Sequence, residues 1–154
     1  METEITKKLD ALGLSYKIKH HLEPVFTSED AAKQRGVRIS QIVKTMLLVA
    51  PDGDVMLAVL PGDRRLNVKA IKKYTGHKDL RFMDKASMEE MGLVVGAIAP
   101  VDDRFNWVVK FIDPRVFEEE RVDISSGHPE AGIEIESHYL RDLLNRFVVL
   151  PISK

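Results

Sequence analysis

The chain contains no cysteine, which excludes thiol nucleophiles, disulfides and thiolate metal sites. Side-chain amides are also scarce: asparagine occurs only at 67, 106 and 145, and glutamine only at 34 and 41. Few labile amides, no cysteine and 31% charged residues fit a heat-adapted source. No apolar stretch approaches the roughly 20 residues of a membrane span. Residues 1–10 alternate acid and base and lack the apolar core of a signal peptide. A cytoplasmic protein without membrane contacts is expected.

An excess of charge of one sign is missing too. Lysine and arginine number 23 against 24 acids, a net charge of −1. Proteins that grip long nucleic acid usually carry a basic excess or a basic face, so DNA is not an expected partner and any RNA contact must be local. The densest candidate is Arg64, Arg65, Lys69, Lys72, Lys73, Lys78 and Arg81, although such runs ordinarily serve solubility. Neither a Gly-x-x-x-x-Gly-Lys phosphate loop nor a Gly-x-Gly-x-x-Gly dinucleotide motif is present. The histidines at 20, 21, 77, 128 and 138 show no metal-ligand spacing. No metal or cofactor is therefore expected.

The 154 residues are enough for one domain with its own core, spanning 1–154. Leucine and isoleucine at helical spacing predict a helix over 3–12, and alternation predicts a strand over 15–20. Thr27 or Ser28 caps a helix over 29–35, with Glu29 and Asp30 in its positive first turn. A short helix over 40–43 leads to two apolar runs, 45–49 and 55–60, joined by Pro51-Asp52-Gly53-Asp54 as a hairpin. Helices are predicted over 68–74, capped by Asn67, over 86–91 and over 138–146. Strands are predicted over 107–112, 121–124, 133–135 and 147–151. This order lacks a βαβ period and favours an α+β domain with a curved, antiparallel or mixed sheet over a doubly wound one.

Three features could carry chemistry. Lys44 lies where a short helix meets the apolar strand Thr45-Met46-Leu47-Leu48-Val49. There a lysine either snorkels to the surface or enters a pocket, where it would hold a phosphate or a developing oxyanion. In Gly96-Ala97-Ile98-Ala99-Pro100, glycine permits close backbone approach, proline fixes the exit, and small residues leave N–H groups free to meet a carbonyl. Ser125-Ser126-Gly127-His128, followed by Gly132-Ile133-Glu134, invites comparison with a hydrolytic triad. It lacks the Gly-x-Ser-x-Gly elbow, and neighbouring Ser and His on one loop seldom reach productive geometry. A binding loop is the better expectation.

Taken together these segments resemble the YbaK and prolyl-tRNA synthetase editing-domain family. The resemblance rests on Ile42-Val43-Lys44-Thr45-Met46-Leu47-Leu48-Val49, on Thr27-Ser28-Glu29-Asp30-Ala31-Ala32 before it, on Gly96 to Pro100 as the glycine-x-x-x-proline loop, and on Ser125-Ser126-Gly127 with Gly132-Ile133-Glu134-Ile135-Glu136. It covers roughly residues 5–150, and without a synthetase catalytic domain the chain looks like a free-standing member. Gly62-Asp63-Arg64-Arg65-Leu66-Asn67-Val68-Lys69 is similar to a segment of the domain inserted in bacterial prolyl-tRNA synthetases.

The resemblance implies an α+β fold with a curved, barrel-like mixed or antiparallel sheet flanked by helices. It implies a trans-editing deacylase acting on mischarged aminoacyl-tRNA, Ala-tRNA(Pro) first and Cys-tRNA(Pro) second. The partners would be the tRNA acceptor end and a prolyl-tRNA synthetase, with no cofactor. Lys44, Gly96 and Pro100 would serve the reaction. Phe26, Thr27, Thr45, Ala97, Ile98, Ser125, Ser126, Gly127, His128 and Glu134 would line the substrate pocket. Water would hydrolyse the ester, helped by the terminal ribose hydroxyl. Two departures touch the pocket rim, where amino-acid selectivity is set: Val101-Asp102-Asp103 after Pro100, and extra residues including His128-Pro129 in the 126–132 loop. Two alternatives remain open: a non-catalytic module that binds tRNA or a synthetase, and a general esterase using Ser126 and His128.

Overall fold

A computed structural model describes residues 2–154. Helix α1 (Glu4–Ala11) is capped by Thr3, whose hydroxyl accepts from Thr6 N–H. Strand β1 (Lys17–His20) follows. Helix α2 (Ser28–Arg35) begins at the Thr27 cap and ends at Gly36. Strands β2 (Val43–Val49) and β3 (Val55–Pro61) form the expected hairpin, in register from Val43↔Pro61 to Val49↔Val55. Then come α3 (Val68–Thr75), the two-residue strand β4 (Arg81–Phe82), α4 (Lys85–Glu90), β5 (Val109–Ile112), β6 (Arg121–Ser125), β7 (Ala131–Glu136), α5 (Leu140–Leu143) and β8 (Phe147–Val149).

The strands form two sheets. One has the order β1-β7-β6 and is antiparallel; the other has the order β4-β2-β3-β5-β8 and is mixed, with β5 parallel to β3 and β8. This is the expected α+β architecture with antiparallel and mixed pairing. Both sheets keep free edges, so the barrel-like closure is a correction.

Local differences have local causes. Residues 39–41 form a 3₁₀ turn and the strand already begins at Val43, so Lys44 belongs to β2 instead of the junction before it. The Asn67 side chain makes no capping hydrogen bond. Trp107, expected in a strand, lies outside β5 and is 83% exposed. The helix predicted over 138–146 shrinks to a 3₁₀ turn and one α-turn, because Leu144 returns to extended geometry.

The largest apolar cluster joins both sheets. Val43 and Val59 meet Ile112, Val122, Ile124, Ile133 and Ile135, with Ile5 and Leu9 from α1 covering them. Ile71 seats α3 against Leu48, Met56, Ala58 and Phe111 on one face of the larger sheet. Leu47, Leu57 and Phe105 meet Leu93 and Met83 on the other.

One core residue is a lysine. Lys110 is 1% exposed, and the three N–H groups of its Nζ are shared among Phe105 O, Val108 O, Asn145 O and Asn145 Oδ1 at 2.7–3.0 Å. The ammonium thus ties the turn before β5 to the turn before β8. Its pKa falls to about 8, chiefly through burial and then through Lys8 and Arg146. Removing a donor from buried acceptors exposes their full desolvation cost. Lys110→Met is expected to cost about 2–4 kcal/mol, read as a lower urea midpoint with an unchanged slope.

Candidate active-site cleft

Strand β2 is fully paired with β3 on one side. On the other side β4 covers only Leu48 and Val49. Gly62 N–H donates to Ile42 O at 2.7 Å from the β3 side, and Met83 N–H donates to Leu47 O at 2.9 Å from the β4 side. Antiparallel alternation between these points turns the N–H and C=O of Thr45 outward, onto the uncovered edge.

A cleft of about 380 Å³ runs along that edge, within the range of small-molecule sites. Its walls are β2 from Ile42 to Leu47, the Thr27, Ser28, Ala31 and Arg35 stripe of α2, Val95, Gly96 and Ile98, and Met88 and Ser125, with Phe26 and Phe82 also contributing. The α2 stripe follows from helical spacing, which sets 27/28, 31 and 35 on one face. The two phenylalanines are 58% and 49% exposed.

Lys44 is half-buried on this wall, and its Nζ has no hydrogen-bond or ion-pair partner among the described residues. Burial draws its pKa below the ordinary lysine value; Glu29 and Asp63 oppose the shift and Arg65 adds to it. Beside it, Thr45 Oγ1 is buried and has no partner. The cleft therefore offers an unpaired ammonium, an unpaired hydroxyl and an open strand edge.

Gly96 is held against Phe26. Its φ is +84°, and a Cβ there would lie 2.9 Å from Phe26 Cα. Only glycine meets both conditions. The Ala97 N–H is not free to meet a substrate, because it donates to Val94 O at 3.0 Å. The Gly96 and Ile98 N–H groups have no protein acceptor among the described residues.

Of the residues marked out in the sequence, Phe26, Thr27, Lys44, Thr45, Gly96, Ile98 and Ser125 line one cleft. Ala97, Pro100, Ser126, Gly127, His128 and Glu134 are not on its wall. Ala97 and Pro100 are buried behind the loop. Ser126 Oγ donates to Ala131 O at 2.6 Å and accepts from the backbone N–H of His128 at 3.2 Å. No imidazole reaches the hydroxyl, so the Ser126–His128 esterase has no nucleophile–base pair. Gly127 N–H donates to Ser125 Oγ at 3.0 Å, and the His128 side chain is exposed. Asp102 and Asp103, set apart in the sequence, hold structure: Asp102 pairs with Arg104 at 2.7 Å, Arg104 reaches Met91 O, and Asp103 meets Lys8 at 3.2 Å.

Glu134 belongs to a second group that the sequence did not reveal. Lys17, Glu134 and Asp123 share one register row of the smaller sheet, and Lys19, Gly132 and Ser125 share the next. Period-two alternation puts both rows on one face, opposite Ile18, Ile124, Ile133 and Ile135. Lys19 Nζ lies 3.3 Å from Glu134 Oε1 and 3.7 Å from Asp123 Oδ1. Asp123 is 0% exposed and neither carboxylate oxygen has a hydrogen bond. Burial pushes its pKa up to about 6, against the pull of Lys19 and Arg35. On the surface, Asp52, Asp54 and His77 come together at the β2–β3 turn and beyond α3, a grouping hidden by their separation in sequence.

These observations define an α+β domain with a half-open ligand cleft around an unpaired lysine. The profile of the aminoacyl-tRNA editing domain family matches residues 22–143, and the chain belongs to that family. It is 32% identical over 124 residues to proline–tRNA ligase from Thermosipho africanus, covering 79% of this chain and 20% of that enzyme. It is 37% identical over 82 residues to proline–tRNA ligase from Thermosipho melanesiensis, covering 53% of this chain and 14% of the enzyme. The chain thus spans a fifth or less of these curated relatives. Among solved structures, the hypothetical protein APE2540 superposes with a TM-score of 0.85 at 27% identity, covering 97% of this chain and 99% of that one. A protein proposed as a trans-editing enzyme for prolyl tRNA synthetase superposes with a TM-score of 0.80 at 22% identity, covering 96% and 94%, a likeness of fold. No helix among the described residues is long and apolar enough to cross a membrane.

Two outcomes follow. Gly96→Ala meets both a steric and a backbone penalty, whereas Gly127→Ala, at φ +88° with nothing within 4 Å, meets only the second. Thermal unfolding is expected to show the Gly96 variant less stable by at least about 1 kcal/mol more than the Gly127 variant. Asp123 has a folded pKa above its ordinary 3.8, so its ionisation costs stability progressively as pH rises from about 4 to about 6, and the cost persists above. Asp123→Asn should therefore gain stability relative to wild type, by about 2 kcal/mol more at pH 8 than at pH 4. A difference independent of pH would mean that folding leaves the Asp123 pKa where it is in the unfolded chain.

Proposed function

We propose that this chain is a trans-editing hydrolase that removes a wrongly attached amino acid from tRNA, with Ala-tRNA(Pro) the first substrate and Cys-tRNA(Pro) the second. The observation that carries the reading is the unpaired, half-buried Lys44 on the open edge of β2, in the same cleft as Gly96.

An aminoacyl ester is already activated, so the site has to position it, admit water and stabilise the charge that forms on the carbonyl oxygen. Positioning and preorganised electrostatics supply most of such an acceleration. In this reading Lys44 is the electrostatic anchor for the ester region, and the Thr45 edge and the Gly96 and Ile98 N–H groups orient the carbonyl. Water is the nucleophile. Phe26 and Phe82 offer exposed ring faces for the terminal base, since aromatic stacking is how unpaired bases are commonly held. Ser125 marks the far wall. Ala97, Pro100, Ser126, Gly127, His128 and Glu134 then support the loops around the pocket.

In this reading the tRNA body also has an electrostatic partner. Arg65, Lys69, Lys73 and Lys78 are exposed and without ion pairs among the described residues, and only Arg81 has one, to Asp84 at 3.8 Å. Of these, Arg65 is near enough to Lys44 to act on its pKa. The identity of the amino acid rests on size. A cleft can exclude the larger proline by clash, whereas alanine differs from serine or glycine by contacts of only about 1–3 kcal/mol. Broad tolerance of small amino acids follows. Cytoplasmic placement and a synthetase partner belong to the same reading.

The test is single-turnover deacylation of a panel of mischarged tRNAs. Wild type should release alanine from tRNA(Pro) and leave Pro-tRNA(Pro) intact, and Lys44→Ala should lose about 10²–10³-fold in rate. Unchanged deacylation in Lys44→Ala would remove Lys44 from the mechanism. No deacylation of any substrate by wild type would instead make the chain a binding module.

A further inference from the structure

The cleft contains a second cation with no part in the chemistry above. Arg35 occupies the last turn of α2, where a basic side chain ordinarily serves only the negative helix end. Here the side chain leaves the helix and lies across the smaller sheet at Gly132. A Cβ at position 132 would collide with Arg35 Cζ and Nε, so the missing side chain is the seat of the guanidinium.

Its orientation is fixed by a relay. Arg35 Nε donates to His21 Nε2 at 3.0 Å, and His21 Nδ1 donates to Pro129 O at 2.8 Å. The two bonds select the neutral Nδ1–H tautomer. Burial first, then Arg35 and His20, hold the His21 pKa below its ordinary value, against the Pro129 bond. The two terminal nitrogens of Arg35 have no hydrogen bond or ion pair among the described residues, and Arg35 lines the cleft. Asp123 acts on it electrostatically but makes no ion pair within 4.0 Å, and burial has already weakened that carboxylate as an anion. Ser125 lines the same cleft, and Lys19, on the same face, is paired to Glu134 and Asp123.

A seated, oriented and desolvated guanidinium with a free fork matches an oxyanion in geometry as well as charge. We propose that Arg35 is a second anion-binding residue of the cleft, placed to take a phosphodiester of the tRNA 3′ end while Lys44 serves the ester. This rests on the tRNA-end reading given above. A phosphodiester is common to every aminoacyl-tRNA, whereas an anion on the amino acid exists only in acidic side chains. The α-ammonium of the substrate is repelled from the same place.

The test uses the unacylated trinucleotide CCA and free adenosine as probes, with binding measured by calorimetry across a salt series. Arg35→Met should weaken CCA binding about 10–100-fold and leave adenosine unchanged. It should also lower the slope of log affinity against log salt by about 0.7, as loss of one single-strand phosphate contact does. Arg35→Lys should restore little, because it keeps the charge but loses the fork and the His21 bond. Gly132→Ala, which displaces the guanidinium from the opposite side, should reproduce the Arg35→Met defect. Far-UV circular dichroism of each variant should match wild type.

Equal loss for CCA and adenosine, an unchanged salt slope, or no CCA binding by wild type at millimolar concentration would overturn the proposal. An Arg35→Met defect confined to hydrolysis of aspartyl-adenosine over alanyl-adenosine, with CCA binding intact, would overturn the phosphodiester assignment and place the amino-acid side chain there. CCA binding requires no hydrolysis, so the two readings fail separately. Arg35-dependent binding without deacylation retires the activity and keeps the anion site, and deacylation with Arg35-independent binding does the reverse.

Discussion

The interrupted pairing of β2 is the constraint on which the site depends. A strand inside a sheet spends its backbone polar groups on two neighbours, and an uncovered edge normally has to be protected. Here β3 satisfies one side along the whole strand, while β4 reaches only the last two residues. The exposed part is too short and too enclosed by α2 and the Gly96 loop to act as a template for another strand. It becomes the wall of a cleft. Lys44 and Met46 project to one side of that wall and Thr45 and Leu47 to the other, and because the cleft runs along the open edge, residues of both faces line it.

The smaller sheet adds a second layer of control. Its inner face is aliphatic and joins the main core. Its other face collects Lys17, Lys19, Asp123, Glu134 and the seat of Arg35. Burying charges is costly unless each finds a partner, and the arrangement meets that condition unevenly. Lys19 and Glu134 satisfy each other, whereas Asp123 has no hydrogen bond. Lys110 shows the opposite solution on the larger sheet, an ammonium surrounded by neutral oxygens at hydrogen-bond distance.

Local signals in the sequence carried far. Thr3, Thr27 and Asp84 cap helices with the geometry their residue types suggest, and the turn at 51–54 joins two apolar runs into a hairpin. Part of the candidate cleft was legible for a similar reason: Lys44 is a lone charge in an apolar run, Gly96 opens a run of small residues, and Ser125 ends a strand. What escaped depends on contacts distant in sequence. Two residues of β4 carry no pattern of their own and are strand only by pairing with Leu48 and Val49. Lys110 looks like the solvent-facing member of an alternating strand until Asn145 arrives from 35 residues away. Arg35 looks like a helix-end cation until Gly132, nearly a hundred residues later, opens a place for it. The resemblance implies Glu134 as a pocket residue, yet its register row is one step removed from that of Ser125.

The 126–130 loop is stitched to the segment that follows β1. His21 N–H donates to Glu130 O at 2.7 Å, Val25 N–H donates to Pro129 O at 2.9 Å, and the His21 ring bonds the same carbonyl. The loop is therefore no free appendage. The loop, the imidazole at 21 and the arginine at 35 form one hydrogen-bonded unit, and a chimera that exchanges the loop alone would import a peptide with nothing to fasten it.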